Sequence, residues 1–391
     1  MVDFDRLITR FRQFGGWRLV WQYVRMGVLW TGVCALVRCA LKGKSLKAAY
    51  PVMTEKVDRI LIRKYRYILD DMKVRDAEDQ TPNDTGVPKI VWFSWLQGID
   101  QAPDLVKVCL ASQRKHLPDY EFRVFDLSNY QQWIELPEYI VRKYKKGLIP
   151  AASFSDLLRL SVLQKYGGVW MDATVFCSGF GNEKLQGRWD RIMRSELTVF
   201  RYFKRGAMAP VGLSTWFFAA VPHQIVISSV LDMLLAYWKD YNCLVDYYVI
   251  HLFLGLSLRE FPMVEARMPR ENSYHSILLG DALGRTFHQK QWQDLIDHVS
   301  FHKLNYRKVG EVSKNPRGYY WYIMKSLFSN HPVPLSKEGF STKTFILTGN
   351  KFFRIPPSPF SQRELHLSPK PSLLRREGCN RSSPSLLTAM L

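Results

Sequence analysis

Three residues in the stretch SDLLRLSVLQKYGGVWMDATV (Ser155 to Val175) have types and spacing suited to chemistry on an anion: Asp156, Arg159 and Asp172. Asp156 and Arg159 are three apart, so on a helix they share a face. With Ser155 as N-cap they fall at the start of that helix, where the backbone dipole favours negative charge. Asp172 belongs to the C-terminal part of the next strand, and ligands of open α/β sheets bind outside strand C-termini. The three can therefore converge on one crevice of a kind that suits a nucleoside diphosphate. One Asp would accept hydrogen bonds from the sugar or base. The Arg would contact phosphate in bidentate fashion. Asp172 would hold a divalent cation. A second acid usually stands two positions after such an Asp, and here that position is Thr174. The bland explanation stays open beside this one: Asp156 as an N-terminal helix charge, Arg159 as its local partner, and Gly167-Gly168 as a helix stop.

The elements that must position these residues are legible from patterning. KIVWFSW (Lys89–Trp95) is a short apolar run of β-favouring residues and reads as a buried first strand. PDLVKVCLASQRKHLP reads as a helix capped by Asp104, and YEFRVFD (Tyr120–Asp126) alternates like a strand. SDLLRLSVLQKYGG is a helix ended by a glycine pair, and VWMDATVF is the next strand. This alternation predicts an α/β sheet, largely parallel. STWFFAAV (Ser214–Val221) and DHVSFHKL (Asp297–Leu304) read as later strands, with a helix over QIVISSVLDMLLAYWKDY.

Residues 1–85 form a helical, basic N-terminal region, 86–335 the main domain, and 336–391 an extension expected to be disordered from about 361, where Pro and Ser accumulate. The chain carries a net charge of +20, which favours an anionic partner. Residues 1–50 hold nine Lys and Arg against Asp3 and Asp5, a local 9 − 2 = +7. No dense basic run interleaves with aromatics through the middle, which argues against nucleic acid as the partner. The six cysteines are scattered without a C-x-x-C pair and read as free thiols of a reducing compartment. GVLWTGVCALV (Gly27–Val37) is apolar but shorter than the roughly 20 residues of a spanning helix. Three readings of it remain: a buried helix, a helix lying on a membrane with Trp17, Trp21 and Trp30 beside Arg18, Arg25 and Arg38, or an anchor.

The segment SDLLRLSVLQKYGGVWMDATV resembles the donor-binding segment of the capsular polysaccharide synthesis protein family. More distantly it is similar to initiation-type mannosyltransferases and the glucosylating clostridial toxins. The likeness extends upstream through PKIVWFSWLQGIDQAPDLVKVCLAS and LPDYEFRVFDLSNYQQWIELPEYI, and downstream through STWFFAAVPHQIV, DYYVIHLFL and HKLNY. It implies a GT-A-like, Rossmann-type nucleotide-sugar-binding sheet in a glycosyltransferase, with a nucleotide-sugar donor, a glycan or lipid-linked acceptor, and retaining stereochemistry. It assigns Trp95 to the border of the nucleobase, Asp156 to the nucleoside, Arg159 to the phosphates and Asp172 to the metal. Mn²⁺ or Mg²⁺ suits carboxylate, phosphate and water ligands and would offset charge on a departing diphosphate. Thr174 would touch that ion by its hydroxyl or through water, and His302 is a further candidate ligand. Asp246, which begins DYYVIH, is a candidate facing the acceptor or the reacting carbon. The resemblance implies a place at the cytoplasmic face of a bacterial membrane, the basic N-terminus lying near anionic lipid. A relative that binds nucleotide sugar without turnover remains the alternative, and Thr174 is what supports it.

Overall fold

Two glycines set where the central strand begins. Gly167 ends the helix Ala151–Tyr166 at φ 62°, and Gly168 follows at φ 97°, both in the region that favours glycine. A Cβ on Gly167 would lie 2.7 Å from the Ala220 carbonyl oxygen, and one on Gly168 2.7 Å from that of Ile90. The pair is thus required by close approach of three strands as well as by the turn. In this computed structural model the described residues are 16–43, 50–78, 86–201 and 212–328.

The strands are β1 (Ile90–Ser94), β2 (Glu121–Phe125), β3 (Gly168–Met171), β4 (Val175–Cys177), β5 (Leu197–Arg201), β6 (Leu213–Ala220), β7 (Glu271–Asn272) and β8 (Phe301–Lys303). Six of them form one sheet in the order β2-β1-β3-β6-β5-β7, and β4 and β8 form a separate antiparallel pair. β1 runs parallel to β2 and β3, whereas β6 runs antiparallel to both β3 and β5. The sheet is therefore mixed, not largely parallel. The reason is β6, which enters beside β3 from the far side.

The stretch VWMDATVF is not one strand. β3 stops at Met171, a turn closes with the Val175 amide donating to the Asp172 carbonyl at 2.9 Å, and β4 leaves for the other sheet. Alternation along β3 sends Trp170 to one face, against Trp92, Phe125 and Phe218, and Val169 and Met171 to the other, against Val91, Phe217 and Ala219. Both faces are buried, which is why the strand reads as a continuous apolar run.

The helix Ala151–Tyr166 covers the Trp170 face with Leu157, Leu158, Leu160, Val162 and Leu163. The helices Ile225–Asp240 and Val249–Glu260 complete that layer. The helical N-terminal region is part of the same core: Val57, Leu61, Tyr65 and Leu69 of the helix Tyr50–Glu78 are buried in it. The Tyr65 ring meets Phe253 edge to face at 5.7 Å, and its hydroxyl donates to Asp240 at 3.0 Å. Truncating a side chain such as Leu61 to Ala would cost about 2–5 kcal/mol. The expected disordered tail lies outside the described residues.

Candidate functional site

The break after β3 places Asp172 at the carboxyl edge of the sheet. Its amide donates to the Trp216 carbonyl at 2.8 Å, so the residue is fixed by β6 on one side and the turn on the other. One carboxylate oxygen, Oδ1, accepts from Trp170 Nε1 at 3.1 Å and lies 3.2 Å from the Arg159 guanidinium. The other, Oδ2, accepts from Lys303 Nζ at 2.6 Å. The same ammonium donates to Thr174 Oγ1 at 2.8 Å. Burial by itself would raise the Asp172 pKa, but Lys303 and Arg159, with hydrogen bonds from Lys303 and Trp170, bring it down to about 2.

Lys303 arrives on β8, whose register pairs it with Val175, and the Leu304 amide donates to the Thr174 carbonyl at 2.8 Å. Because strand side chains alternate, the neighbouring His302 points the other way. It is fully buried, packs on Phe176, and its Nε2 lies 3.0 Å from Ser178 Oγ. Burial lowers its pKa to about 3. His302 is therefore not a metal ligand at Asp172. One residue of register separates the expected His from the Lys that reaches the site.

Arg159 also has a different task from the one expected. It is 5% exposed, lies over the Trp170 ring at 5.1 Å, donates through Nη1 to the Thr215 carbonyl, and through Nη2 sits 3.3 Å from Asp156 and 3.2 Å from Asp172. Both terminal nitrogens are thus taken by protein oxygens, and Nε is buried without a partner, so the guanidinium fixes two carboxylates from within the core. Nor do Asp156 and Arg159 stand at a helix start. Pro150 holds the N-cap position and the helix begins at Ala151, so Asp156 is in its second turn, beyond the reach of the terminal dipole. Burial raises the Asp156 pKa to about 6, with Arg159 opposing and Asp172 adding to the rise. Asp104 likewise is the first helical residue of Asp104–His116 and makes no capping hydrogen bond; Pro103 precedes it.

Trp95 follows β1 and packs against the cluster of Phe93, Ala102, Val106, Leu110 and Ala173, with its ring edge to face with Tyr306 at 5.3 Å. Continuing the β1–β3 register, in which Trp92 meets Trp170, sets Ser94 level with Asp172. Ser94 Oγ is buried and has no hydrogen-bond partner. Asp246 is buried, its Oδ1 accepts from the Tyr248 amide at 2.7 Å, and it precedes the helix Val249–Glu260. Its charge acts on Tyr23 and Asp58 of the N-terminal helices: Asp58 is raised to about 7 by burial first and Asp246 second. His251, in the first turn of that helix, is half-buried, and burial and Arg159 lower its pKa to about 4. So this helix approaches the trio from the Asp246 side.

Sequence patterning gives no role to Tyr306 or Ser94, and it offers Lys303 and His251 only as neighbours of the candidates His302 and Asp246. Lys303 was visible as the residue beside His302, but only the β4–β8 register decides which of the two faces Asp172.

The oxygens expected to bind Mn²⁺ or Mg²⁺ do not fit such an ion. Asp172 Oδ2 and Thr174 Oγ1 already share one ammonium, and Oδ1 has Arg159 and Trp170. Among the described residues no cluster of three or more His, Cys, Asp or Glu is placed to hold a metal.

The capsular polysaccharide synthesis protein family matches residues 40–323. Among solved structures the chain is similar to a PaToxG glycosyltransferase at 15% identity, over 70% of this chain and 98% of that one, with a TM-score of 0.33. A superposition that loose carries no argument about the sheet or the site. No curated protein matches the chain.

Proposed function

The chain belongs to the capsular polysaccharide synthesis protein family, and from that premise we propose that it is a glycosyltransferase moving a sugar from a nucleoside-diphosphate donor to a glycan or lipid-linked acceptor. The observation that carries the proposal is the group at the end of β3: Asp172 held by Arg159 and Trp170 on one oxygen and by Lys303 on the other, with Ala173 in the cluster against which Trp95 and Tyr306 pack. In this reading the two rings border the nucleobase. Asp156 and Ser94 bind the nucleoside, the Asp172 side meets the reacting sugar, and Asp246 faces the acceptor. Transfer with retention is part of the proposal, as is a role in capsule or surface polysaccharide assembly. An Mn²⁺ or Mg²⁺ ion is left out of it, because the oxygens expected to hold the ion are bonded to Lys303 and Arg159.

Peripheral attachment at the cytoplasmic face of a bacterial membrane is the second part of the proposal. It is supported by the helices Trp17–Arg25 and Val28–Leu41, which meet at 99°. Among the described residues no single helix is long and apolar enough to cross a membrane. Trp17, Trp21, Trp30, Val37 and Leu41 are exposed, with Arg18, Arg25 and Arg38 on the same two helices. Aromatic and basic residues together suit an interface of headgroups and acyl chains.

Incubating the full-length protein with a panel of UDP- and GDP-sugars and measuring nucleotide release tests the enzymatic reading. Slow release that disappears in Asp172→Ala supports it. Binding of a nucleotide sugar with no turnover, with or without an acceptor, would make the protein a binding subunit instead.

A further inference from the structure

Lys303 stands where a metal-dependent enzyme of this kind would carry its ion. Its ammonium is 2.6 Å from Asp172 Oδ2 and 2.8 Å from Thr174 Oγ1, which are the first and third positions of the D-A-T sequence. That placement is built into the fold. The β4–β8 register pairs Lys303 with Val175, and the Leu304 amide on the Thr174 carbonyl pins the two strands at that point. The local charges balance: Asp156 and Asp172 against Arg159 and Lys303, 2 − 2 = 0. A divalent ion needs a negative shell of oxygens, and here it would meet a neutral group with an ammonium already on its oxygens. A diphosphate meets the opposite situation. Arg159 is buried with protein oxygens on both terminal nitrogens, but the Lys303 side chain is partly exposed. An ammonium has three N–H donors. Two go to Asp172 and Thr174, and one remains for a phosphate oxygen.

We propose that Lys303 is the cation that meets the donor's diphosphate, and that this protein binds and uses its donor without a divalent metal. The inference rests on the donor reading above. Thr174 then has a positive reason. A carboxylate there would draw Lys303 into a second ion pair and favour a metal, whereas a hydroxyl holds the ammonium in place without cancelling its charge. As the bond between sugar C1 and the diphosphate oxygen breaks, its electron pair stays on the diphosphate. The acceptor oxygen bonds C1, and its proton passes to the released diphosphate. Lys303 offsets the charge that grows on the leaving oxygens, as a preorganised cation in a largely enclosed site. Asp172, ionised throughout the neutral range, keeps the ammonium charged and aimed.

The experiment is calorimetric titration of the full-length protein with UDP, GDP and inorganic pyrophosphate, in excess EDTA and again in excess MnCl₂. The expected result is that at least one nucleotide binds equally well in both. Lys303→Ala then weakens it about tenfold or more, the loss of one charge-assisted contact. Lys303→Arg, which keeps the charge, retains most of the affinity and guards against a misfolded Ala variant. The double variant Thr174→Asp with Lys303→Ala should bind the nucleotide better with Mn²⁺ than with EDTA. Wild-type binding that requires Mn²⁺ overturns the inference and leaves the donor reading standing. So does unchanged affinity in Lys303→Ala. If none of the probes binds under either condition, the donor reading falls and this inference falls with it.

Discussion

The crevice at the end of β3 and the N-terminal helix pair handle positive charge in opposite ways. In the crevice, Arg159 is 5% exposed and Lys303 is bonded to two side-chain oxygens, so each cation is held in one geometry by the core around it. On the helix pair, Trp17 and Trp30 are 78% and 72% exposed on the same short elements as Arg18, Arg25 and Arg38. Fixed cations suit one small anion in one pose. Basic and aromatic groups spread over an exposed surface suit a broad partner without fixed geometry, such as a lipid headgroup layer. The two regions are also connected. Tyr23 of the first helix donates to the Val245 carbonyl at 2.8 Å, next to Asp246, and Lys56 donates to Thr31 at 2.8 Å and to the Gly27 carbonyl beside the bend. A membrane held by the helices would therefore lie on the Asp246 side, where an acceptor carried on lipid would arrive.

Removing the anchor of the crevice should have the largest effect. Asp172→Asn leaves Arg159 and Lys303 without their shared carboxylate, and sugar-donor turnover should fall at least about a hundredfold. Steady-state nucleotide release checks this, and a fall of less than tenfold would take Asp172 out of the reacting centre. On the other region, changing Trp17, Trp21 and Trp30 together to Ala should cut binding to anionic vesicles about tenfold or more while donor hydrolysis in solution is unchanged. Co-sedimentation with vesicles of anionic and neutral lipid measures it. Equal binding by the variant would remove the helix pair from the membrane reading.

Trp95→Ala should weaken nucleotide binding by about 1–3 kcal/mol, the range for one aromatic under a base, with pyrophosphate affinity unaltered. A matching loss for pyrophosphate would mean that Trp95 holds the crevice open and does not meet the base.

The smallest effect separates the regions by acidity. Asp156 and Asp58 are raised to about 6 and about 7 in the folded protein, above their unfolded value. Their contribution is fully present below the unfolded pKa and is lost as pH rises through those values. Asp172, depressed to about 2, has the opposite sign, and its contribution is lost only as pH falls toward that value. Between pH 8 and pH 5 the raised acids add stability on acidification, whereas His251 and His302, lowered to about 4 and about 3, subtract it as their unfolded counterparts take up protons, so the effect is read as a difference between variants in the melting-temperature change from pH 8 to pH 5. Asp58→Asn should make that change less favourable to the acid side by on the order of a few degrees relative to the unmodified protein, and an unchanged difference would take Asp58 out of the account.

Patterning carried a good deal of this molecule. The strand and helix succession from Lys89 to Met171, the glycine pair, and the grouping of Asp156, Arg159 and Asp172 all follow from local spacing and composition. These depend on which residues are apolar and how far apart they lie, and a chain states that directly. What failed has a common cause. The start of the helix bearing Asp156 was misjudged by a turn because Ser155 is a good cap in isolation, but Pro150 and the helix-forming Ala151 and Ala152 come first. β6 joining β3 antiparallel is a choice of neighbour, to which strand propensity is indifferent.

By itself, then, the sequence determined that an acid would end a buried strand near a second acid and an arginine. It did not determine which cation that acid would meet. His302 and Lys303 are adjacent in the chain and equally available to a reader of it. Only pairing with β4 decided that the histidine turns into the core and the lysine turns toward Asp172 and Thr174. The physical reason is the two-residue period of a strand. A shift of one position exchanges its faces, and the register is set by partners more than a hundred residues away.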